Sequence, residues 1–291
     1  MNKDLTVVLL SHKSKNLIIK FIQEIYNKFE IIIIDNSNDN ELRKEITQNY
    51  SNVILKFVEN KGYGAAINYA SKLIKTNYFL ISNPDIEGIN ERNIKEFLNS
   101  AKTLNDKFST LGPRYINANP KSHIQSDPIV DIAEMKFISG ACMFFKKEIF
   151  DLSGGFDENF FLYFEESDFC LRAHKINKNY QINKIKVKHY TGTSVQVESK
   201  EEKRELQKLY KWHFIWSKFY YYKKNYGFFY SLVYFFPIII RTSFKIIFYI
   251  IFKNSEKKEN YTVRLNGLIR SIRGLSSNKR INKWLYLYKI I

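Results

Sequence analysis

LTVVLLSHKSKNLIIKFIQEIYNKFEIIIIDNSND (Leu5–Asp39) decides the fold. LTVVLLSH (Leu5–His12) is a short apolar run that ends in polar residues, and it reads as a buried parallel strand. NLIIKFIQEIY carries helical periodicity, and EIIIIDNSND (Glu30–Asp39) is a second buried strand that stops at Asp35 and Asn36. The alternation continues with a polar helix near Glu41–Gln48, a strand in NVILKFVEN, a helix opened by glycines in KGYGAAINYASKLIK, and a strand in NYFLISNPDI (Asn77–Ile86). Strands alternating with helices imply an α/β, Rossmann-like, mostly parallel sheet. Ligands of such sheets bind beyond the carboxyl ends of the strands. The polar residues that end these strands, His12, Asp35, Asn36, Asn60 and Asp85, therefore converge on one crevice.

Downstream, Asn90–Lys107 reads as a surface helix, Thr110–Tyr115 as a strand, Asn117–Glu134 as a polar loop over the crevice, and MKFISGACMFFKK as a returning strand. Carboxylates then crowd into apolar sequence: Asp157 and Glu158 follow a glycine pair, and Glu165, Glu166 and Asp168 follow the aromatic run Phe160–Phe164. Acidic side chains are rarely buried unless paired, hydrogen-bonded or functional. Acids that open a helix such as EESDFCLRAHK are also favoured by its free amides and dipole. The sharper reading makes one of them a general base held at the mouth of a cleft by aromatic packing.

GACMFFKKEIFDLSGGFDENFFLYFEESDFCLR (Gly140–Arg172) resembles the signature of family 2 glycosyltransferases of the rhamnosyltransferase-like branch. The resemblance implies a GT-A fold and an inverting transfer from a nucleotide-diphosphate sugar. It puts Glu166 where the family keeps its catalytic base, with Glu165 and Asp168 shaping acceptor binding or the basicity of Glu166. Asp35 and Asn36 take the family's place beside the nucleobase, although the same pair also suits a plain turn. NKGYGAAIN resembles the family's helix start beside the nucleotide, which brings in Asn60, Gly62 and Asn68. SNPDI stands in place of the family's Asp-x-Asp metal motif, so Asp85 alone offers a carboxylate to a divalent cation, manganese or magnesium. His189, in HYTGTS, falls where the family has a histidine that joins the metal, and imidazole beside oxygen ligands suits such an ion. Gly140 lets the backbone approach a sugar. The branch suggests rhamnose as the sugar and a glycan or lipid-linked saccharide as acceptor, in cell-surface polysaccharide synthesis.

The bulk numbers agree with an anionic partner. The chain has 291 residues, 45% hydrophobic and 16% aromatic, with a formal net charge of +17. Two cysteines, Cys142 and Cys170, without metal-like spacing, fit a reduced, cytoplasmic protein, and no signal peptide is visible at the start. The expected organisation is a GT-A domain over 1–198 and a helical, basic and apolar region over 199–291. GFFYSLVYFFPIIIRTSFKIIFYIIFK (Gly227–Lys253) is long enough to span a bilayer, but Pro237, Arg241 and Lys245 interrupt it. It reads as two short amphipathic pieces on the inner face of the cell membrane, flanked by basic runs reaching Lys283 that suit an anionic leaflet. A buried helical hairpin is the plainer alternative. Two rival functions are a nucleic-acid binder, from the charge and the Tyr/Lys interleaving, and a nicotinamide-dependent oxidoreductase, from Gly62 and Gly64 after a strand. Neither rival explains the ordered series NPD, GGFDE, EESD and HYTGTS, so nucleic acid is not expected as a partner.

Overall fold

Strand β1 (Asn2–Ser11), helix α1 (Lys15–Ile25) and strand β2 (Phe29–Asp35) form where the opening stretch predicts them. This is a computed structural model, which describes residues 2–117, 123–197 and 199–277. Ile31, Ile32, Ile33 and Ile34 of β2 are all buried, because helices cover both faces of the sheet. α1 turns Ile18, Phe21, Ile22 and Ile25 to that core along a single stripe. Helix α2 (Asn40–Asn49) is capped by Asp39, which accepts from the amide of Leu42. Strand β3 (Val53–Phe57), helix α3 (Tyr63–Ser71), strands β4 (Tyr78–Ser82) and β5 (Ile86–Glu87), helix α4 (Glu91–Thr103) and strand β6 (Thr110–Tyr115) follow. The first unit closes with strands β7 (Ile132–Met135) and β8 (Cys142–Lys146), helices α5 (Lys147–Leu152) and α6 (Glu165–Ala173), and strand β9 (Asn179–His189).

The strands make one sheet in the order β3-β2-β1-β4-β8-β6-β9-β5, with β7 also on β9. β1, β2, β3 and β4 are mutually parallel, and β6 is parallel to β9. β8 enters antiparallel between β4 and β6, and β5 and β7 lie antiparallel to β9, so the sheet is mixed though mostly parallel. The expected single strand over MKFISGACMFFKK is two: β7 ends at Met135 and β8 begins at Cys142. Between them the chain turns, with the Cys142 amide on the Ser139 carbonyl and the Ala141 carbonyl accepting from Asn83. Part of the expected polar loop also joins the sheet, as β7. On one face of the sheet Phe145, Phe150, Phe156 and Phe169 pack with ring centroids 5.2–6.2 Å apart.

The chain divides into two compact units, Met1–Asp157 with Glu165–Gln196, and Glu158–Phe164 with Val197–Ile291. The expected boundary residue, 198, lies outside the described residues, as do the basic positions beyond 277. The second unit holds helices α7 (Lys200–Tyr226), α8 (Phe228–Ile251) and α9 (Ser255–Ile272). α7 and α9 approach closely at Gly267, where a Cβ would stand 2.8 Å from the Trp212 carbonyl oxygen. The indole of Trp212 donates to Asn266 at 2.9 Å. α8 is one helix, not two pieces: it runs through Pro237. An internal proline costs a helix about 3 kcal/mol, and packing offsets it here, with Phe235 fully buried in a cluster with Ile215, Phe219 and Leu268. The opposite side of α8 is apolar and exposed along Phe229, Val233, Phe236, Ile240, Phe244, Ile247 and Ile251. By length and composition α8 is able to cross a membrane. Segment 158–164 packs within this unit: Phe160 lies on Tyr220, Phe161 on His213, and Phe164 on Phe214 and Tyr221. Its last two residues, Tyr163 and Phe164, have φ of 70° and 71°, a left-handed pair without glycine.

Candidate active site

The crevice at the ends of the parallel strands is assembled from three directions. The first is a short clasp between β5 and β9, in which Ile86 pairs with His189 and the amide of Tyr190 donates to the Asp85 carbonyl. It sets the Asp85 carboxylate, whose side chain is wholly buried, 3.4 Å from Nε2 of His189. That approach is too poorly directed for a hydrogen bond, so Oδ1 of Asp85 is buried without a hydrogen-bond partner. Burial raises the Asp85 pKa, and His189 and Ser194 beside it more than offset this, so the group is held below its ordinary value. Nδ1 of His189 lies 3.1 Å from Nε2 of His123, and the His123 ring stacks on Tyr115 at 4.1 Å. Burial, then the neighbouring His189, lowers His123 to about 4, so it is neutral at pH 7.

The second side is the start of α6. Glu165 is buried, and Glu166 beside it is partly exposed. Burial, then Glu166, raises Glu165 well above the ordinary carboxyl range. A Cβ on Gly140 would stand 3.3 Å from Cβ and Cγ of Glu166. The missing side chain of Gly140 thus makes room for Glu166, where the sequence suggested room for a sugar. Tyr63 donates to the Gly140 carbonyl at 2.8 Å. Burial raises the Tyr63 phenol, and Glu165, Cys142, Glu166 and Asp85 add to it in that order, which places this ring within the field of acids from both sides of the crevice.

Asp168 has another occupation. It is fully buried, and its Oδ2 accepts from Nε of Arg172 at 2.8 Å. Arg172 in turn donates to the carbonyls of Ser153 and Gly155. The pair braces the glycine turn against α6, which gives Asp168 a structural task at the start of the helix.

The third side carries the residues expected at the nucleotide. His12 and Asn36 meet at 2.7 Å between Nδ1 and Oδ1. Burial lowers the His12 pKa against the opposing effect of its hydrogen bond to the Asn36 amide oxygen. Asp35 is buried and accepts from the amides of Ser37 and Asp39 and from the Ser37 hydroxyl, which is the turn reading of that residue. Asn60 accepts from the Gly62 amide at 3.2 Å, and Gly62, at φ 106°, opens α3. Asn68 donates to the Phe156 carbonyl at 2.8 Å and accepts from its amide at 2.9 Å. Both ends of its amide bond to the turn after the glycine pair, so Asn68 braces that turn. Gly64 is needed for the same packing, since a Cβ there would meet Cβ of Phe156 at 2.9 Å.

Sequence reasoning missed two residues at this crevice. Tyr63 stood in the quoted glycine-led motif, and an aromatic between two glycines at a helix start was the available signal. His123 had none, because its partners Tyr115 and His189 reach it only through the fold.

The fit to a divalent cation rests on the buried, partnerless Oδ1 of Asp85 beside an imidazole nitrogen, an oxygen and nitrogen pair suited to a borderline metal. Among the described residues no cluster of three or more His, Cys, Asp or Glu side chains forms a closed metal cage. Hard divalent ions often keep water and substrate phosphates as their remaining ligands.

The chain is 26% identical over 205 residues to the low-salt glycan biosynthesis hexosyltransferase Agl10 of Haloferax volcanii, covering 62% of this chain and 64% of that protein. It therefore spans less than two thirds of that relative's length. It is also 26% identical over 204 residues to the rhamnosyltransferase WbbL of Escherichia coli strain K12, covering 57% and 75%. In fold it resembles the mannosyltransferase PcManGT of Pyrobaculum calidifontis in complex with GDP-Man and Mn2+, with a TM-score of 0.55 at 13% identity over 94% of this chain and 88% of that one. Residues 1–349 of S. aureus TarS in complex with UDP-GlcNAc give 0.52 at 14%, over 94% and 92%. These likenesses establish the GT-A fold. The profile of Glycosyl transferase family 2 matches residues 6–156, more than half of the chain, and the chain belongs to that family.

Proposed function

We propose that this chain is an inverting glycosyltransferase that moves a hexose, rhamnose first among the candidates, from a nucleotide-diphosphate sugar to a glycan or lipid-linked saccharide in cell-surface polysaccharide synthesis. The observation that carries the reading is the pairing of Asp85 with His189 by the β5–β9 clasp at the carboxyl end of the sheet, in a chain of this family. The names of the relatives support a sugar donor, and PcManGT and TarS hold GDP-Man with Mn2+ and UDP-GlcNAc.

Asp85 and His189 would hold a divalent ion, which when bound neutralises charge on a diphosphate leaving group. His123, neutral and bonded to the far nitrogen of His189, fixes the ring's orientation and leaves Nε2 facing Asp85. Glu166 takes the proton of the attacking acceptor hydroxyl at its carboxylate. Burial favours the neutral form of Glu165, which limits the negative charge beside Glu166. His12 and Asn36 line the nucleotide end. The exposed apolar side of α8 and the positive net charge support work on the anionic inner face of the membrane, in the cytoplasm. The nicotinamide alternative loses its motif, because Gly62 and Gly64 serve the entry of α3 and its approach to Phe156.

The test is to incubate the purified full chain with dTDP-rhamnose, GDP-mannose and UDP-GlcNAc, with manganese or with chelator, and to follow nucleotide release and the anomeric configuration of product. Absence of release from every donor with manganese present would reject the proposal, and retention of configuration would reject the inverting course.

A further inference from the structure

The second unit holds a cavity of about 570 Å³, of the size that binds small ligands. Its walls come from α7, the end of α8, α9 and the segment before α6. Three of its lining groups are cations, Lys211, Lys257 and Arg264, and among the described residues no acid lines it. Among the described residues none of the three has a carboxylate within ion-pair distance; Lys211 is held instead by the neutral amide oxygen of Asn260 at 2.6 Å. Their charge is therefore not cancelled by any carboxylate among the described residues. Between them the walls are aromatic. Tyr249 and Tyr261 stack at 5.6 Å, and Lys257 lies 5.4 Å over the Tyr249 ring. The hydrogen bond from Lys245, with the charges of Lys245, Arg264 and Arg241 behind it, lowers the Tyr261 phenol, which reports the same positive field from inside the wall.

The apolar character continues out of the cavity. Tyr249 belongs to α8, and its chain neighbours Phe248 and Ile250, with Ile251 and Phe252 after them, are exposed. A ligand that uses both parts carries concentrated negative charge at one end and a hydrocarbon chain at the other. We propose that this cavity binds the phosphate or diphosphate headgroup of a membrane lipid, with the lipid tail leaving along α8. Lys211, Lys257 and Arg264 hold the phosphate oxygens, and Arg264 is the one of the three suited to grip two oxygens at once. The use of such a lipid as carrier of the acceptor sugar rests on the glycosyltransferase reading above; the binding itself does not.

The experiment titrates the full chain with farnesyl diphosphate, inorganic diphosphate and farnesol, following tryptophan and tyrosine fluorescence. Saturable binding of farnesyl diphosphate, at least about ten-fold tighter than either part alone, is expected. Arg264→Gln, and separately the surface change Lys257→Gln, weaken it about ten-fold, while nucleotide-sugar binding with manganese is unchanged. Flotation with phosphatidylglycerol vesicles also persists in both variants. Equal binding of inorganic diphosphate would reduce the cavity to a free-phosphate site and overturn the proposal. So would unchanged farnesyl diphosphate binding in both variants, or loss of flotation with them, which would make the cations part of a general membrane face. If no nucleotide sugar binds while farnesyl diphosphate does, the transferase reading fails and the lipid-phosphate site stands.

Discussion

Gly140 and Glu166 fit one another: a methyl group on the glycine would stand 3.3 Å from two carbons of the glutamate side chain. A contact that tight forces the neighbour to give by tenths of an ångström. Gly140→Ala is therefore expected to keep the fold and to lower turnover by roughly ten-fold, since small misplacement of a reacting group is costly. Donor affinity and melting temperature measured beside the rate separate this from simple unfolding.

The two acids of α6 should answer differently to removal of charge. Glu166→Gln is expected to lose about 10²–10⁴-fold in transfer with donor binding and stability intact. Asp168→Asn should instead destabilise, because it removes the charge that pairs with Arg172. Breaking a buried pair costs about 3–5 kcal/mol, and with the Arg172 side chain 26% exposed the lower end applies. Urea unfolding of both variants decides; equal stability would return Asp168 to consideration as the base.

Metal dependence follows from Asp85 and His189. Asp85→Ala should weaken donor binding only in the presence of manganese, and His123→Ala should weaken metal affinity by about 10–100-fold through loss of the group that orients His189. Calorimetry of manganese and donor binding checks both. Full activity in excess chelator would remove the metal from the reading.

Glu165 gives a pH signature of its own. Its folded pKa lies well above the 4.5 of an ordinary glutamate. The folded state therefore binds the proton more tightly than the unfolded one, and stability falls as pH rises from 4.5 toward the folded pKa. Glu165→Gln abolishes that loss. The variant is expected to melt higher than the parent at pH 8 and alike at pH 4, by thermal denaturation at both pH values. A parallel shift at both would mean that Glu165 is not held neutral.

The exposed side of α8 predicts membrane attachment by insertion as well as by charge. Ile240→Glu and Phe244→Glu, both on that side, should abolish flotation with anionic vesicles, whereas high salt loosens the parent only in part. Flotation that survives both substitutions would leave the apolar side without a membrane role.

The strands from β1 to β4 were legible because runs such as Ile31–Ile34 are apolar on both faces and end at polar residues. The antiparallel entry of β8 between β4 and β6 was not, since pairing direction leaves no local trace. Asp168 and Glu166 look alike as first-turn acids, although Arg172 four residues after Asp168 was a readable clue to the brace. Pro237 does not end α8: a proline deletes a single helical hydrogen bond, and burial of Phe235 against α7 and α9 outweighs it. The clasp that joins Asp85 to His189 depends on a two-residue strand, Ile86–Glu87, too short to have any pattern.

The left-handed pair Tyr163–Phe164 has a consequence for anyone recombining these enzymes. The chain reaches Glu165 through backbone that non-glycine residues rarely adopt, and aromatic rings of α7 keep it there. A chimaera spliced at 196/197 would import foreign helices beneath a native loop and leave it to relax to ordinary dihedrals. Modular exchange therefore has to carry residues 158–164 together with the C-terminal helices, as two non-contiguous inserts rather than one.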